Sequence, residues 1–201
     1  MSKESPKFEE MKKIRDELID LKESPLYKER VENKVFPVIG EGSHDAKIMF
    51  IGEAPGKNEA KTGKPFCGAS GKVLDELLSH IGLDRKTVYI TNIVKDRPTN
   101  NRDPKPEEIE LYAPFMDRQI EIIQPKVIAT LGRFSMEYVM KRLGLEEELD
   151  VISKMHGQIF TAKTSYGEVK LIPLYHPAVG IYNRNQLPEL KKDFETLKSF
   201  T

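Results

Sequence analysis

Apolar positions along the chain follow two rhythms. Between residues 7 and 21, Phe8, Met11, Ile14, Leu18 and Leu21 recur at spacings of three and four, which predicts one amphipathic helix with a single buried stripe. Ser24-Pro25 ends it, and the glycine- and proline-punctuated segment 33–43 reads as a connection. Lys47-Ile48-Met49-Phe50-Ile51 is a short apolar run of the kind a strand buried on both faces needs. A helix is predicted over 71–81, closed by Gly82, and a second buried strand over 88–94. A long polar loop, 95–104, leads to a helix over 106–123 that starts with Pro106 and two acids, Glu107 and Glu108. A third strand (126–131), a helix ending at Gly144, a hairpin (158–163 and 168–175 about Tyr166-Gly167) and a last amphipathic helix (188–200) complete the chain. Strands alternating with helices predict a mostly parallel sheet covered on both faces.

Composition narrows the class. The chain has 201 residues, 38% hydrophobic and 32% charged, with formal net charge zero. That length suits one domain, expected over 1–201 with 1–6 as a flexible tail. No apolar run approaches the roughly 18 residues of a membrane helix, and the polar N-terminus carries no signal-peptide core. A cytoplasmic protein is expected, with no membrane partner. The single cysteine, Cys67, cannot form an internal disulfide or a multi-thiolate metal site, and reads as a small, partly buried residue. Zero net charge argues against a bulk polyanion binder, although a local basic face would suffice.

The chemistry gathers at strand ends. After the first strand comes Gly52-Glu53-Ala54-Pro55-Gly56-Lys57-Asn58-Glu59, running on to Gly63-Lys64-Pro65-Phe66-Cys67-Gly68-Ala69-Ser70-Gly71. Strand, glycine-rich loop, helix is where open α/β folds hold ligands. The loop lacks G-x-G-x-x-G, and Gly71-Lys72 lacks both the earlier glycine and the Ser or Thr of a P-loop. Glu53, Glu59 and Phe66 at one strand end, Thr91-Asn92 at the next and His176-Pro177 at the last would converge on one pocket. An aromatic face stacks on a flat base, an amide reads a base edge, an imidazole stabilises developing negative charge and a carboxylate orients water. Each residue also has a plainer reading: Phe66 as core, Asn92 as a cap, His176 as a turn residue, Glu59 as a cap or solvated acid.

These motifs, with Val88–Pro104 and Tyr175-His176-Pro177-Ala178, resemble those of the family 4 uracil-DNA glycosylases, from about Leu21 to the final helix. The resemblance implies a three-layer α/β/α sandwich around a central four-stranded parallel sheet. It implies an enzyme that flips uracil out of single- or double-stranded DNA and hydrolyses its N-glycosidic bond. Phe66 would stack on the uracil and Asn92 would select it. The backbone at Glu53-Ala54, with Glu59, would hold the uracil edge and the attacking water. His176 would stabilise the departing base, and Asn101 matches a further polar position. Lys95, Arg97 and Arg102 would contact DNA phosphates. Ile181 and Tyr182 would wedge the duplex, with Arg184 as a backbone contact. A monomer is expected. The rival expectations are a superfamily glycosylase preferring hypoxanthine or xanthine, and a uracil-DNA binder that does not turn over.

One departure is plain. The family holds an iron–sulfur cluster with four cysteines, whereas Leu21, Ser24, Asp96 and Tyr112 occupy those positions here. Such a cluster needs thiolates, so no cofactor and no metal are expected. Ordinary packing, with Leu21 and Tyr112 partly filling the space, is expected to pin the N-terminal helix and the 95–112 loop.

Overall fold

A computed structural model describes residues 5–201. The helix α1 (Pro6–Ile19) opens the described chain; Ser5 caps it, its hydroxyl accepting the Phe8 N–H at 3.3 Å. Ser5 and Pro6 are therefore part of a helix start rather than of a tail, and the rest of the expected tail lies outside the described residues. A short helix, α2 (Tyr27–Glu32), follows, then β1 (Glu41–Gly42), β2 (Ile48–Gly52), α3 (Lys57–Thr62), α4 (Ala69–His80) and β3 (Tyr89–Asn92). Next come α5 (Pro106–Ile123), β4 (Val127–Leu131), α6 (Arg133–Arg142), α7 (Ile152–Met155), β5 (Phe160–Thr164), β6 (Gly167–Leu174), α8 (Val179–Tyr182) and α9 (Leu187–Glu195).

The sheet runs β1-β3-β2-β4-β6-β5. Its centre, β3-β2-β4-β6, is parallel, and β1 and β5 add antiparallel edges. The four expected parallel strands are present, and the sheet has six strands because of those edges. The predicted hairpin supplies one edge. The other, β1, is only two residues long and leaves no trace in the apolar pattern.

Strand residues point alternately to opposite faces, and two cores result. Met49, Ile51 and Ile128 face α1, α5 and α6 through Ile14, Leu18, Tyr112, Met116 and Val139. Ile48, Phe50, Val127 and Ala129 face α4 and α9 through Leu74, Leu77, Leu190 and Phe194. This is the three-layer sandwich. Burial on both sides explains why β2, β3 and β4 read as continuous apolar runs. All four parallel strands end on one side, which is where the loops carrying the motifs emerge. Phe50 is fully buried and stacks on Phe194 at 5.8 Å between ring centres. Phe50→Ala should cost about 3–5 kcal/mol of stability, measured by chemical denaturation.

Candidate functional site

β2 and β3 pair in a register that sets Gly52 beside Asn92. A side chain on Gly52 would strike the Asn92 side-chain oxygen Oδ1 and the Phe66 ring, so glycine is what lets both close over the strand end. Phe66 sits in the left-handed region at φ 46°, a strained state for an aromatic residue. Gly71 holds it there: the Phe66 carbonyl lies where a Cβ of residue 71 would be. Glu59 closes the loop, its Oε1 accepting the Cys67 and Gly68 N–H groups at 2.9 Å each, just before α4 begins. One carboxylate oxygen thus fixes the loop that follows Phe66 to α3.

Around these groups lies a cavity of about 290 Å³, lined by Glu53, Ala54, Pro55, Gly56, Glu59, Phe66, Ser70, Asn92, Pro98, Asn101, Arg102 and His176. Residues from three strand ends and the polar loop meet there. The Phe66 and His176 rings are 5.7 Å apart, tilted by 33°. Asn92 is buried, and its side-chain amide has no hydrogen-bond partner among the described residues while it lines the cavity. A side-chain amide at a cavity wall offers both a donor and an acceptor to a ligand.

His176 Nδ1 accepts the Ala178 N–H at 3.1 Å. In the neutral ring the proton must then sit on Nε2, which becomes a donor. Desolvation pushes this imidazole down to about 4, so it is neutral at ordinary pH. Glu53 moves the opposite way. Burial, reinforced by the Asp103 carboxylate and opposed by Arg133, pushes it up to about 7. A carboxyl so poised exchanges protons near neutrality.

Lys95 and Cys67 differ from expectation. Lys95 is fully buried and faces the protein, not a groove. Its ammonium donates to Thr91 Oγ1 at 2.8 Å, the Asn92 carbonyl at 2.7 Å and Gln119 Oε1 at 2.6 Å. All three donors are used, which removes Lys95 as a phosphate contact and makes it a support under Asn92. Arg97 donates to Asn101 Oδ1 at 2.6 Å. Arg102 forms a bidentate pair with buried Glu108 beside the cavity. Ile181 and Tyr182 project from α8, Tyr182 88% exposed, and Arg184 is exposed in the turn that follows. Cys67 is exposed rather than partly buried, within 3.3 Å of Thr62 Oγ1.

Ser70, Pro55, Gly56 and Pro98 line the cavity without having been singled out. Ser70 had a signal: a hydroxyl in the first turn of a helix that follows a glycine loop faces whatever the helix N-terminus faces.

The model of the uracil DNA glycosylase superfamily matches residues 39–198. The chain belongs to this superfamily. The Type-4 uracil-DNA glycosylase of Sulfurisphaera tokodaii is 44% identical over 95% of this chain and 84% of its own length. The Type-4 enzyme of Archaeoglobus fulgidus is 40% identical over 94% of this chain and 90% of its own. The Type-5 uracil-DNA glycosylase of Thermus thermophilus matches less, at 33% over 55% of this chain and 57% of its own. Superfamily membership fits the fold: the matched span takes in the whole parallel sheet and every residue lining the cavity.

Titration followed by NMR should find the His176 ring neutral down to about pH 4 and Glu53 half-protonated near pH 7. A His176 midpoint near its ordinary value of 6.5 would contradict the desolvated environment.

Proposed function

We propose that this chain is a DNA-repair glycosylase that hydrolyses the N-glycosidic bond of uracil in DNA, releasing free uracil and leaving an abasic site. The observation that carries the reading is the unpartnered Asn92 amide beside the Phe66 face, in a cavity of nucleobase size. An amide offers a donor to O4 and an acceptor to N3–H of uracil. Cytosine presents the reverse pattern and would leave both groups unpaired, a strong ground for rejection. The target nucleotide reaches such a pocket by flipping out of the stack.

The reaction needs little covalent help. As the C1′–N1 bond breaks, the sugar becomes oxocarbenium-like and the bonding electrons pass to the uracil ring. His176 Nε2–H is a neutral donor for the charge gathering on O2, and it costs nothing in charge repulsion before the bond breaks. Glu53 accepts a proton from the water that adds to C1′. Glu59, with one oxygen committed to backbone N–H groups, shapes the loop more than it touches water. Asn101 and Arg102 form the outer wall, where the strand enters. Arg97, Arg102 and Arg184 meet phosphates, and Ile181 and Tyr182 fill the space the flipped base leaves. The protein acts as one domain and as a cytoplasmic monomer; among the described residues no helix is long and apolar enough to cross a membrane.

Uracil excision from single- and double-stranded oligonucleotides, read by alkaline cleavage of abasic sites, tests this directly. A panel carrying hypoxanthine and xanthine separates base preferences, and tight binding without cleavage would mark a non-turnover binder. His176→Ala should lower the rate about 10²–10³-fold, and an unchanged rate would remove His176 from the mechanism. Because only ionised Glu53 accepts a proton, kcat/KM should rise with pH through about 7. Glu53→Gln should lose that limb along with activity.

A further inference from the structure

The positions where the resemblance would require cluster thiolates hold a different set of groups. Asp96 is 1% exposed and Arg30 5% exposed, and they face each other at 2.9 Å. Arg30 Nη1 reaches both carboxylate oxygens of Asp96. The Tyr112 hydroxyl donates to Asp96 Oδ2 at 2.6 Å. Its proton is thereby spent, so Ser24 Oγ–H is the donor in the 2.8 Å contact with Tyr112 Oη. Ser24 Oγ in turn accepts the Leu26 N–H at 3.1 Å. Arg30 also donates to the Leu18 and Ile19 carbonyls at 2.9 and 2.6 Å, satisfying carbonyls that the end of α1 leaves open. Leu21 packs beside this set as a partly buried aliphatic.

These donors do not fit a four-iron cluster. A carboxylate, a phenol and an alcohol are already hydrogen-bonded to one another, and the fourth position is a hydrocarbon. The only thiol in the sequence is that of exposed Cys67. Apolar packing contributes, with Tyr112 in the core cluster and Leu21 against it, and the space also holds a directed polar chain that fastens α1, α2, α5 and the segment leaving β3.

That last segment matters. Asp96 immediately precedes the stretch 97–102, which contributes Pro98, Asn101 and Arg102 to the cavity. Its far end is tied by the Arg102–Glu108 pair to the start of α5, where Glu108 also accepts the Lys105 N–H at 2.9 Å. A wall clamped at both ends keeps its shape before a ligand arrives, and pre-organisation of that kind lowers the cost of binding.

We propose that the buried Ser24–Tyr112–Asp96–Arg30 network is a positioning device that replaces a metal cluster and holds the 97–102 wall of the pocket in place. The groups act through the wall and touch no substrate. The kinetic arm of the test rests on the glycosylase reading; the exchange and iron arms do not, so the two can fail separately.

Purified protein should contain no stoichiometric iron and no visible charge-transfer absorption; about four irons per chain would overturn the proposal. Hydrogen–deuterium exchange of the DNA-free protein supplies the second arm. Asp96→Asn strands the Arg30 charge and should speed exchange across 97–102. If it fails to fold, Tyr112→Phe, which keeps the ring and the Arg30–Asp96 pair, carries the test. In Tyr112→Phe, amide exchange in 97–102 should quicken about tenfold or more while β2 and β4 stay protected. Unchanged exchange there in a folded variant overturns the proposal. In excision kinetics the same variant should raise KM about tenfold with kcat within about threefold. An equal loss in kcat alone, or no loss at all, would reduce the network to a structural fastening and overturn the positioning role.

Discussion

The site depends first on a register. β2 and β3 run parallel with Gly52 opposite Asn92, and that pairing decides what can stand at the two strand ends. Because residue 52 has no side chain, the Asn92 amide and the Phe66 ring occupy the volume a Cβ would need. A slip of one residue would turn Asn92 to the opposite face of the sheet. The strained Phe66 backbone, the Gly71 contact and the Glu59 bridge then follow as conditions for keeping the ring where the register permits it. Lys95 adds to this from beneath by binding the carbonyl of Asn92 itself.

A second constraint is electrical. The pocket excludes enough water to favour uncharged forms, and it does so for an acid and a base alike. His176 is held neutral, Glu53 is drawn toward neutrality, and Asn92 carries no charge to begin with. The empty site is therefore weakly charged where a base would lie. Such a site suits a neutral ligand that becomes anionic only as a bond breaks, since its dipoles are already aimed when the charge appears. Arg102, paired with Glu108, lines the cavity wall, and Asp103 and Arg133 act on Glu53 through their charges.

Much of this was legible in the chain. Buried parallel strands announce themselves as unbroken apolar runs, and α1, α4, α5 and α6 announce themselves by stripes and terminal punctuation. The convergence of Glu53, Phe66, Asn92 and His176 followed from placing motifs at strand ends. What escaped had physical reasons. The one buried residue of α2 is Arg30, so its inward face is polar and no hydrophobic period marks it. α3 is six residues long with only Ala60 buried, too short for any period. Lys95 reads as a solvated cation in a polar loop, and only the tertiary placement of Thr91, Gln119 and the Asn92 carbonyl supplies the acceptors that let it go inside. The Asp96 network escaped for the same reason: Tyr112 reads as a space-filler until Asp96 and the arginine that completes the pair are placed beside it.

The Arg30–Asp96–Tyr112–Ser24 chain is made wholly from side chains of the polypeptide. It joins α1, α2, α5 and the β3 exit, and Tyr112 belongs both to it and to the core behind it. Its groups are a guanidinium, a carboxylate, a phenol and an alcohol, none of them a thiol. A pocket wall positioned in this way would take its stiffness from folding alone, and its upkeep would draw on neither the metal supply nor the redox state of the surroundings.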